Sequence, residues 1–363
     1  MENMMKKKIF FITNGLSGGG AERVMSILAN YLDDNGYEVS FIMLKNYPEA
    51  YKLNLTISKY YKNNTKRRDF IGNFMYIRSF MQKENNAVFI SFFTRQNLYT
   101  IMAAIGTNNR VVISERNNPE ITVNGKIEEI VRKILYKSSK CKYIVFQTQG
   151  AKEYFDKEIQ NKGTIILNPL NNKLPICDKM HSKKKIVAIG RLNSQKNYPL
   201  MLKAFKRFCK IYNDYTLHIY GKGESKDSLK QLTFELEIND KVIFEGFKEN
   251  IHKEIQDATM FVISSDYEGL SNALLEAMGM GLPCISTDSP PGGARMVINN
   301  NENGILVPVG DEIKLYKAML KIASDKKFAN YIATNALKIR KNLSIDRICK
   351  EWIKILEKCF DKK

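Results

Sequence analysis

The sequence predicts an α/β protein made of two parallel-sheet domains in tandem, and three observations lead there. Short β-rich apolar runs alternate with helical stretches along the chain, the pattern of βαβ units. The alternation breaks once, across residues 168–185, where "NPLNNKLPICDKMHSKKK" is polar, basic and proline-containing and reads as a linker. It then starts afresh, and a chain of 363 residues leaves each half enough length to bury its own core.

In chain order, "KIFFIT" is the first strand. The following helix carries Val24, Ile27, Leu28, Tyr31 and Leu32 on one face and stops at Gly36. "YEVSFIML", "AVFISF", "RVVIS" and "YIVFQT" continue the first half, with helices between them. In the second half "KIVAIG", "YTLHIYG", "KVIFEG", "MFVISS", "LPCIST" and "GILVP" are strands. "PLMLKAFKRFCKIY", "KDSLKQLTFELEI", "NIHKEIQDA" and "NALLEAMGM" are helices. We place one Rossmann-like domain at residues 1–175 and a second at 176–345. An amphipathic helix over 346–363, with Ile348, Trp352, Ile353, Leu356 and Phe360 at helical spacing, is expected to pack across both.

Composition narrows the function classes. Hydrophobic content of 44% and charged content of 26% are those of a globular protein. The net charge is +19, spread as +11 over residues 1–180 and +8 over residues 181–363, so it is no tail. Such a balance fits nucleic acid, an anionic membrane surface or phosphorylated small molecules as partners. No nucleic-acid-binding motif accompanies it. Six cysteines without a Cys-x-x-Cys pair, and three scattered histidines, give no basis for a metal or redox site. The apolar run Ile9–Ile12 is too short for a secretory core and no stretch is long enough to span a bilayer, so a cytoplasmic protein is expected.

Three stretches could carry chemistry. "NGLSGGGAERV" places Gly15, Gly18, Gly19 and Gly20 between the first strand and the first helix, where free N–H groups and the helix dipole suit a phosphate. The spacing is not the dinucleotide fingerprint, and Lys45 stands where a ribose-binding carboxylate would follow the second strand. No Gly-Lys-Ser/Thr closes a P-loop either. "GRLNSQKNYP" sets Gly190, Arg191 and Lys196 at the end of a strand, two cations that suit a diphosphate. "SSDYEGLSNALLEAM" puts Glu268 in the loop after a strand and Glu276 about one and a half turns into the next helix, with Ser271 as its N-cap. A carboxylate accepts two hydrogen bonds from a vicinal diol, which is how a sugar is gripped.

Together these residues resemble the retaining glycosyltransferases of family 4, whose GT-B fold faces two Rossmann-like domains across a cleft, and the resemblance covers nearly the whole chain. Its strongest element is "EGLSNALLE", similar to the family's E-x7-E donor signature. The resemblance implies that Glu268 faces the transferred sugar, that Glu276 holds the nucleotide ribose, and that Gly269, Leu270 and Ser271 line the donor. Arg191 and Lys196 become the diphosphate clamp beside Gly190, and Gly18, Gly19 and Gly20 lie near the donor phosphate. "ISERNNP" resembles members that build bacterial surface polysaccharides. The N-terminal histidine common in the family is missing, and Glu115, Arg116 and Asn117 occupy that region on the acceptor side.

The implied activity is metal- and cofactor-independent transfer of a hexose or N-acetylhexosamine, with retention, from a nucleotide diphosphate sugar of the UDP class. The acceptor is a saccharide, free or lipid-linked, and domain closure would exclude water. The alternatives are a basic nucleic-acid-binding protein and a nucleotide-sugar-binding module without turnover. "KRRDFIGNFMYIRSFMQK", residues 66–83, mixes basic and aromatic residues in the manner of a peripheral contact with an anionic membrane, at the inner face of the cell membrane. The reading we favour for it is a helix with Phe70, Phe74, Ile77 and Met81 turned to the core.

Overall fold

A computed structural model describes residues 7–63, 69–171, 173–177 and 183–361 of the chain. The chain forms two compact units, Met1–Pro169 with Ile345–Lys363, and Leu170–Ser344.

The first unit is built on a parallel sheet of seven strands: β1 (Lys8–Thr13), β2 (Glu38–Met43), β3 (Ser58–Tyr61), β4 (Val88–Ser91), β5 (Arg110–Glu115), β6 (Cys141–Phe146) and β7 (Gly163–Ile165), in the order β3-β2-β1-β4-β5-β6-β7. Helices α1 (Gly20–Asp34), α2 (Phe70–Lys83), α3 (Thr94–Ala104), α4 (Lys126–Lys137), α5 (Gln149–Glu153) and α6 (Lys157–Asn161) connect them. Helices cover both faces of such a sheet, so its central strands are apolar throughout rather than alternating. The register shows how consecutive residues divide between the faces. Phe10 pairs with Phe89 and their rings stack at 4.9 Å, while Phe11 pairs with Phe41 on the other face and stacks at 5.1 Å.

Two strands lie outside the expected set. β3, "SKYY", is an exposed edge strand with no apolar run to betray it, and β7 is only three residues long. Within α2, Ile77 and Met81 are buried and Phe74 packs against the core as expected, but Phe70 is 54% exposed. Residues 66–68 of that basic segment lie outside the described residues.

The second unit repeats the plan with six parallel strands: β8 (Lys185–Ile189), β9 (Thr216–Tyr220), β10 (Val242–Gly246), β11 (Met260–Ile263), β12 (Cys284–Thr287) and β13 (Ile305–Val307), in the order β10-β9-β8-β11-β12-β13. Its helices are α7 (Tyr198–Cys209), α8 (Lys226–Glu235), α9 (Ile251–Ile255), α10 (Asn272–Met280), α11 (Glu312–Ser324), α12 (Lys326–Ala336) and α13 (Ile339–Asn342). All six strands read from the second half of the sequence are present. In both sheets the order reverses beside the first strand, between β1 and β4 and between β8 and β11. Open α/β sheets bind ligands at the carboxyl ends of such neighbours.

The last helix, α14 (Ile345–Phe360), belongs to the first unit and packs on α1 and β4. Its Ile348, Trp352 and Leu356 are buried, with Cys349, Ile355 and Cys359 beside them. Trp352 stacks on Phe92 at 5.4 Å, and Asp346 accepts a 2.7 Å hydrogen bond from the Tyr31 hydroxyl of α1. Trp352→Ala would empty the largest fully buried side-chain volume in the chain. It is expected to destabilise the first unit by ~3–5 kcal/mol in urea unfolding, as large-to-small core changes do. All six cysteines are buried and none is in a disulfide, as small core residues.

Candidate functional site

In the second unit, the loops after β8 and β11 flank the strand reversal and are bound to each other. The first runs from Gly190 through a single 3₁₀ turn, Ser194–Lys196, to Asn197, which caps α7 by accepting the Leu200 N–H at 3.2 Å. Asn197 also donates to the Asp266 carboxylate at 2.6 Å. The Asp266 N–H donates to the Gln195 carbonyl at 2.9 Å, and the Gln195 amide donates to the Tyr267 carbonyl at 3.0 Å. The Ser264 hydroxyl donates to the Lys196 carbonyl at 2.8 Å.

These bonds fix the backbones so that the Lys196 ammonium meets the Glu268 carboxylate in a partly buried ion pair. The Ser265 hydroxyl donates to the same carboxylate at 3.4 Å. A Cβ on Gly190 would come 2.9 Å from the end of the Lys196 stem and 3.1 Å from the Tyr198 hydroxyl, so the lysine would have to shift. Arg191, next along, is exposed.

Two further loops, unremarked in the sequence reading, complete this edge of the sheet. Gly221 follows β9 with φ +140°, and a Cβ there would run into the Gly190 carbonyl oxygen. After β12, the Glu268 N–H donates to the Pro290 carbonyl at 2.9 Å, and a Cβ on Gly293 would overlap the Gly269 carbonyl oxygen. Glycines directly after apolar strands ("YTLHIYG", and "PPGG" beyond "LPCIST") were the available signal.

Helix α10 starts from Ser271, whose hydroxyl accepts the Leu274 N–H at 3.4 Å. Gly269, Leu270 and Ser271 are buried. Glu276 is 6% exposed, and His252 of α9 places Nε2 2.9 Å from its carboxylate. Sequence spacing had no means of showing this contact, because α9 and α10 are separated by β11. The two glutamates therefore sit at different depths around one helix start. Glu268 is tied to a lysine and Glu276 to a histidine.

In the first unit the glycine turn is already engaged. The Gly18 and Gly19 N–H groups each donate to the Glu22 carboxylate at 3.0 Å, and the Ser17 hydroxyl lies 3.4 Å from it. This is the glutamate half of a capping box, with Glu22 at the third helical position and a glycine at the N-cap. A phosphate reaching the Gly18 and Gly19 amides would have to displace that side chain, so the turn is not the open cradle that its composition suggested.

At the end of β5, Glu115 and Arg116 point to opposite faces, as adjacent strand residues do. Glu115 is 1% exposed, bonded by the Tyr136 hydroxyl and, at 3.4 Å, by that of Thr94, and burial pushes its carboxyl up. Arg116 lies 3.9 Å over the Phe92 ring and 5.7 Å from that of Trp352, and donates to Asn168 at 2.7 Å. Among the described residues no carboxylate meets it, and burial pushes its guanidinium down to about 9. Asn117 turns its side-chain oxygen onto the Asn118 N–H at 2.8 Å. Among the described residues, no group of three or more His, Cys, Asp or Glu could hold a metal ion.

Residues 175–339 match the family model of the glycosyl transferases group 1. The match takes in nearly all of the second unit. The likeness extends over the chain. It is 29% identical over 359 residues, 96% of this chain and 98% of the relative, to a GalNAc-α-(1→4)-GalNAc-α-(1→3)-diNAcBac-PP-undecaprenol α-1,4-N-acetyl-D-galactosaminyltransferase of Campylobacter jejuni. It is 27% identical, across 97% of this chain and 100% of the relative, to an N-acetylgalactosamine-N,N'-diacetylbacillosaminyl-diphospho-undecaprenol 4-α-N-acetylgalactosaminyltransferase of the same organism. The crystal structure of Anabaena HepE in complex with UDP superimposes with a TM-score of 0.81 at 15% identity, covering 98% of this chain and all of that one. The protein is thus a glycosyltransferase, and its two parallel-sheet units are those of the GT-B fold.

Proposed function

We propose that this glycosyltransferase moves an N-acetylhexosamine or hexose from a UDP-sugar onto a lipid-linked saccharide in polysaccharide assembly, with retention at the anomeric carbon and without a metal. The observation that carries the reading is the Lys196–Glu268 pair, held by loop-to-loop hydrogen bonds at the strand reversal of the second sheet. Full-length likeness to two transferases named for undecaprenol-linked acceptors supports the acceptor class, and UDP in the HepE complex supports the donor class.

The chemistry follows from what each side chain offers. An ammonium has three donors, so Lys196 can hold Glu268 and still meet a phosphate oxygen. With Arg191 it would offset the charge that builds on the diphosphate as the bond from the anomeric carbon to the β-phosphate oxygen breaks. The acceptor hydroxyl attacks the same face and its proton passes to the departing phosphate, which leaves as UDP. No separate base is then needed. Glu268 orients the sugar hydroxyls, and Glu276 accepts from the ribose diol. Among the described residues no helix is long and apolar enough to cross a membrane.

The test is incubation of the full chain with UDP-N-acetylhexosamines, UDP-hexoses and an undecaprenyl-diphosphate-linked oligosaccharide, with the new linkage read by NMR. Transfer from an α-configured donor should give an α-linked product. A β-linked product removes the retaining mechanism, and sugar-independent inertness of every donor removes the transferase reading of the site.

A further inference from the structure

In the first sheet, the residues that directly follow three neighbouring strands converge on one place. Phe92 follows β4, Arg116 follows β5 and Gln147 follows β6. Asn168, just beyond β7, joins them, and α14 lays Trp352 against the Phe92 ring that Arg116 covers. All five belong to the first unit. They stand at the carboxyl edge of its sheet, where open α/β folds bind ligands.

Arg116 is only half provided for. The face of its guanidinium is taken: the central carbon lies 3.9 Å over the Phe92 ring and 5.7 Å from that of Trp352, and the two rings stack at 5.4 Å. One end is taken as well. Nη1 donates to Asn168 at 2.7 Å and lies 3.1 Å from the Gln147 side-chain amide. Stacking engages the face of a guanidinium, not the N–H groups in its plane. Nε and Nη2, which form one bidentate edge, are buried and have no hydrogen-bond partner among the described residues. The same holds for Trp352 Nε1. Nearly all buried polar groups in folded proteins are satisfied. Among the described residues six buried side-chain nitrogens and oxygens are not, and three of the six are gathered here.

Three N–H donors without an acceptor define the chemistry of a ligand. The arginine edge matches two oxygens on one atom, and the indole N–H offers a further bond. The guanidinium is held by two rings and two neutral amides, so among the described residues its charge has no counter-ion. Burial accordingly pushes it down to about 9. A buried cation of this kind is costly until an anion joins it. One positive charge matches one negative charge, which is what each phosphate of a diphosphate diester carries.

We propose that Arg116 and Trp352 form an oxyanion site at the carboxyl edge of the first sheet, taking one phosphate of a diphosphate diester on the Nε–Nη2 edge and the indole N–H. Both substrates of the proposed reaction hold such a phosphate, the UDP-sugar and the undecaprenyl-diphosphate-linked acceptor. The inference rests on the transferase reading only for that source.

Trp352 is the only tryptophan of the chain, so its emission reports on this site. The experiment is a fluorescence titration of the full chain, with selective indole excitation. The probes are inorganic pyrophosphate, UDP-N-acetylglucosamine and an undecaprenyl-diphosphate-linked oligosaccharide, each against sodium chloride at equal ionic strength. A saturable red shift is expected as the indole N–H gains an acceptor. Arg116→Met should raise the apparent Kd for pyrophosphate at least about tenfold, the loss of a charged hydrogen bond. Arg116→Lys keeps the charge without the planar edge and should fall between, and it serves as the second variant should the first fold poorly. Lys196→Ala should leave the pyrophosphate response of Trp352 in place, because that lysine belongs to the second unit. A response to the UDP-sugar that Glu276→Ala weakens assigns the phosphate to the donor. A response to the oligosaccharide with no UDP-sugar present assigns it to the acceptor. No saturable shift with any of the probes, an unchanged Kd in both Arg116 variants, or a stronger response to sodium glucuronate than to pyrophosphate overturns the proposal. Pyrophosphate binding in a chain that transfers no sugar strikes the transferase reading alone, and sugar transfer without a Trp352 response strikes this site alone.

Discussion

Lys196→Ala is expected to lower kcat by about 10²–10³ while leaving the fold intact, the range seen when one preorganised group facing developing charge is removed. The argument rests on position and on what remains. Lys196 sits between the leaving diphosphate's expected place at the strand reversal and the Glu268 carboxylate, to which it is bonded. Without it the diphosphate loses a cation as it departs, and Glu268 becomes an unpaired negative charge beside a negative ligand. The thermal cost should be about 1–3 kcal/mol, because the pair is partly buried and Glu268 is left without its cation. Lys196→Arg separates charge from shape: the guanidinium keeps the charge but not the compact point donor, so partial recovery is expected. Steady-state kinetics with the best donor from the panel checks both variants, and a kcat within threefold of wild type for Lys196→Ala, roughly within measurement scatter on the scale of such losses, would remove the clamp role.

Glu276→Ala is the second large effect, and it should fall on donor affinity rather than on kcat. A buried carboxylate accepting two hydrogen bonds from a ribose diol contributes about 1.5–3 kcal/mol per charged bond, about 3–6 kcal/mol for the two, so donor affinity should fall by at least about a hundredfold. Glu276→Gln keeps the size and one acceptor and should fall between the two. His252 sharpens the test. Its ring now bonds the carboxylate at 2.9 Å, so His252→Ala removes that bond and leaves Glu276 in place. A modest rise in the donor Kd for His252→Ala, beside a large one for Glu276→Ala, marks Glu276 as the group that touches the ligand. Equal losses would indicate that the pair serves only to hold α9 against α10.

Much of this architecture could be read from the chain, for identifiable reasons. Strands β11 and β12 of the second sheet are buried on both faces, so they appear as unbroken apolar runs, "MFVISS" and "LPCIST". The edge strand "SKYY" was invisible because an exposed, polar strand carries no such run. At the site, the motif residues Lys196, Glu268 and Glu276 could be picked out singly. The topology then placed the lysine and the first glutamate on neighbouring strand ends, although 72 residues separate them. What failed was reasoning from a residue type to an open function. The glycine turn looked like a vacant set of amides, yet Glu22 stands three residues beyond the N-cap, the spacing of a capping box, and fills two of them. Glu115 was grouped with Arg116 by adjacency, whereas strand alternation sends it into the core.

The most direct test of the donor site is calorimetric titration of UDP into the full chain, alongside the Lys196→Ala and Glu276→Ala variants. Wild type should bind one UDP per chain, with the affinity falling at least tenfold in each variant (about 1.4 kcal/mol). Saturable UDP binding that neither substitution weakens would show that the loops after β8 and β11 grip something else.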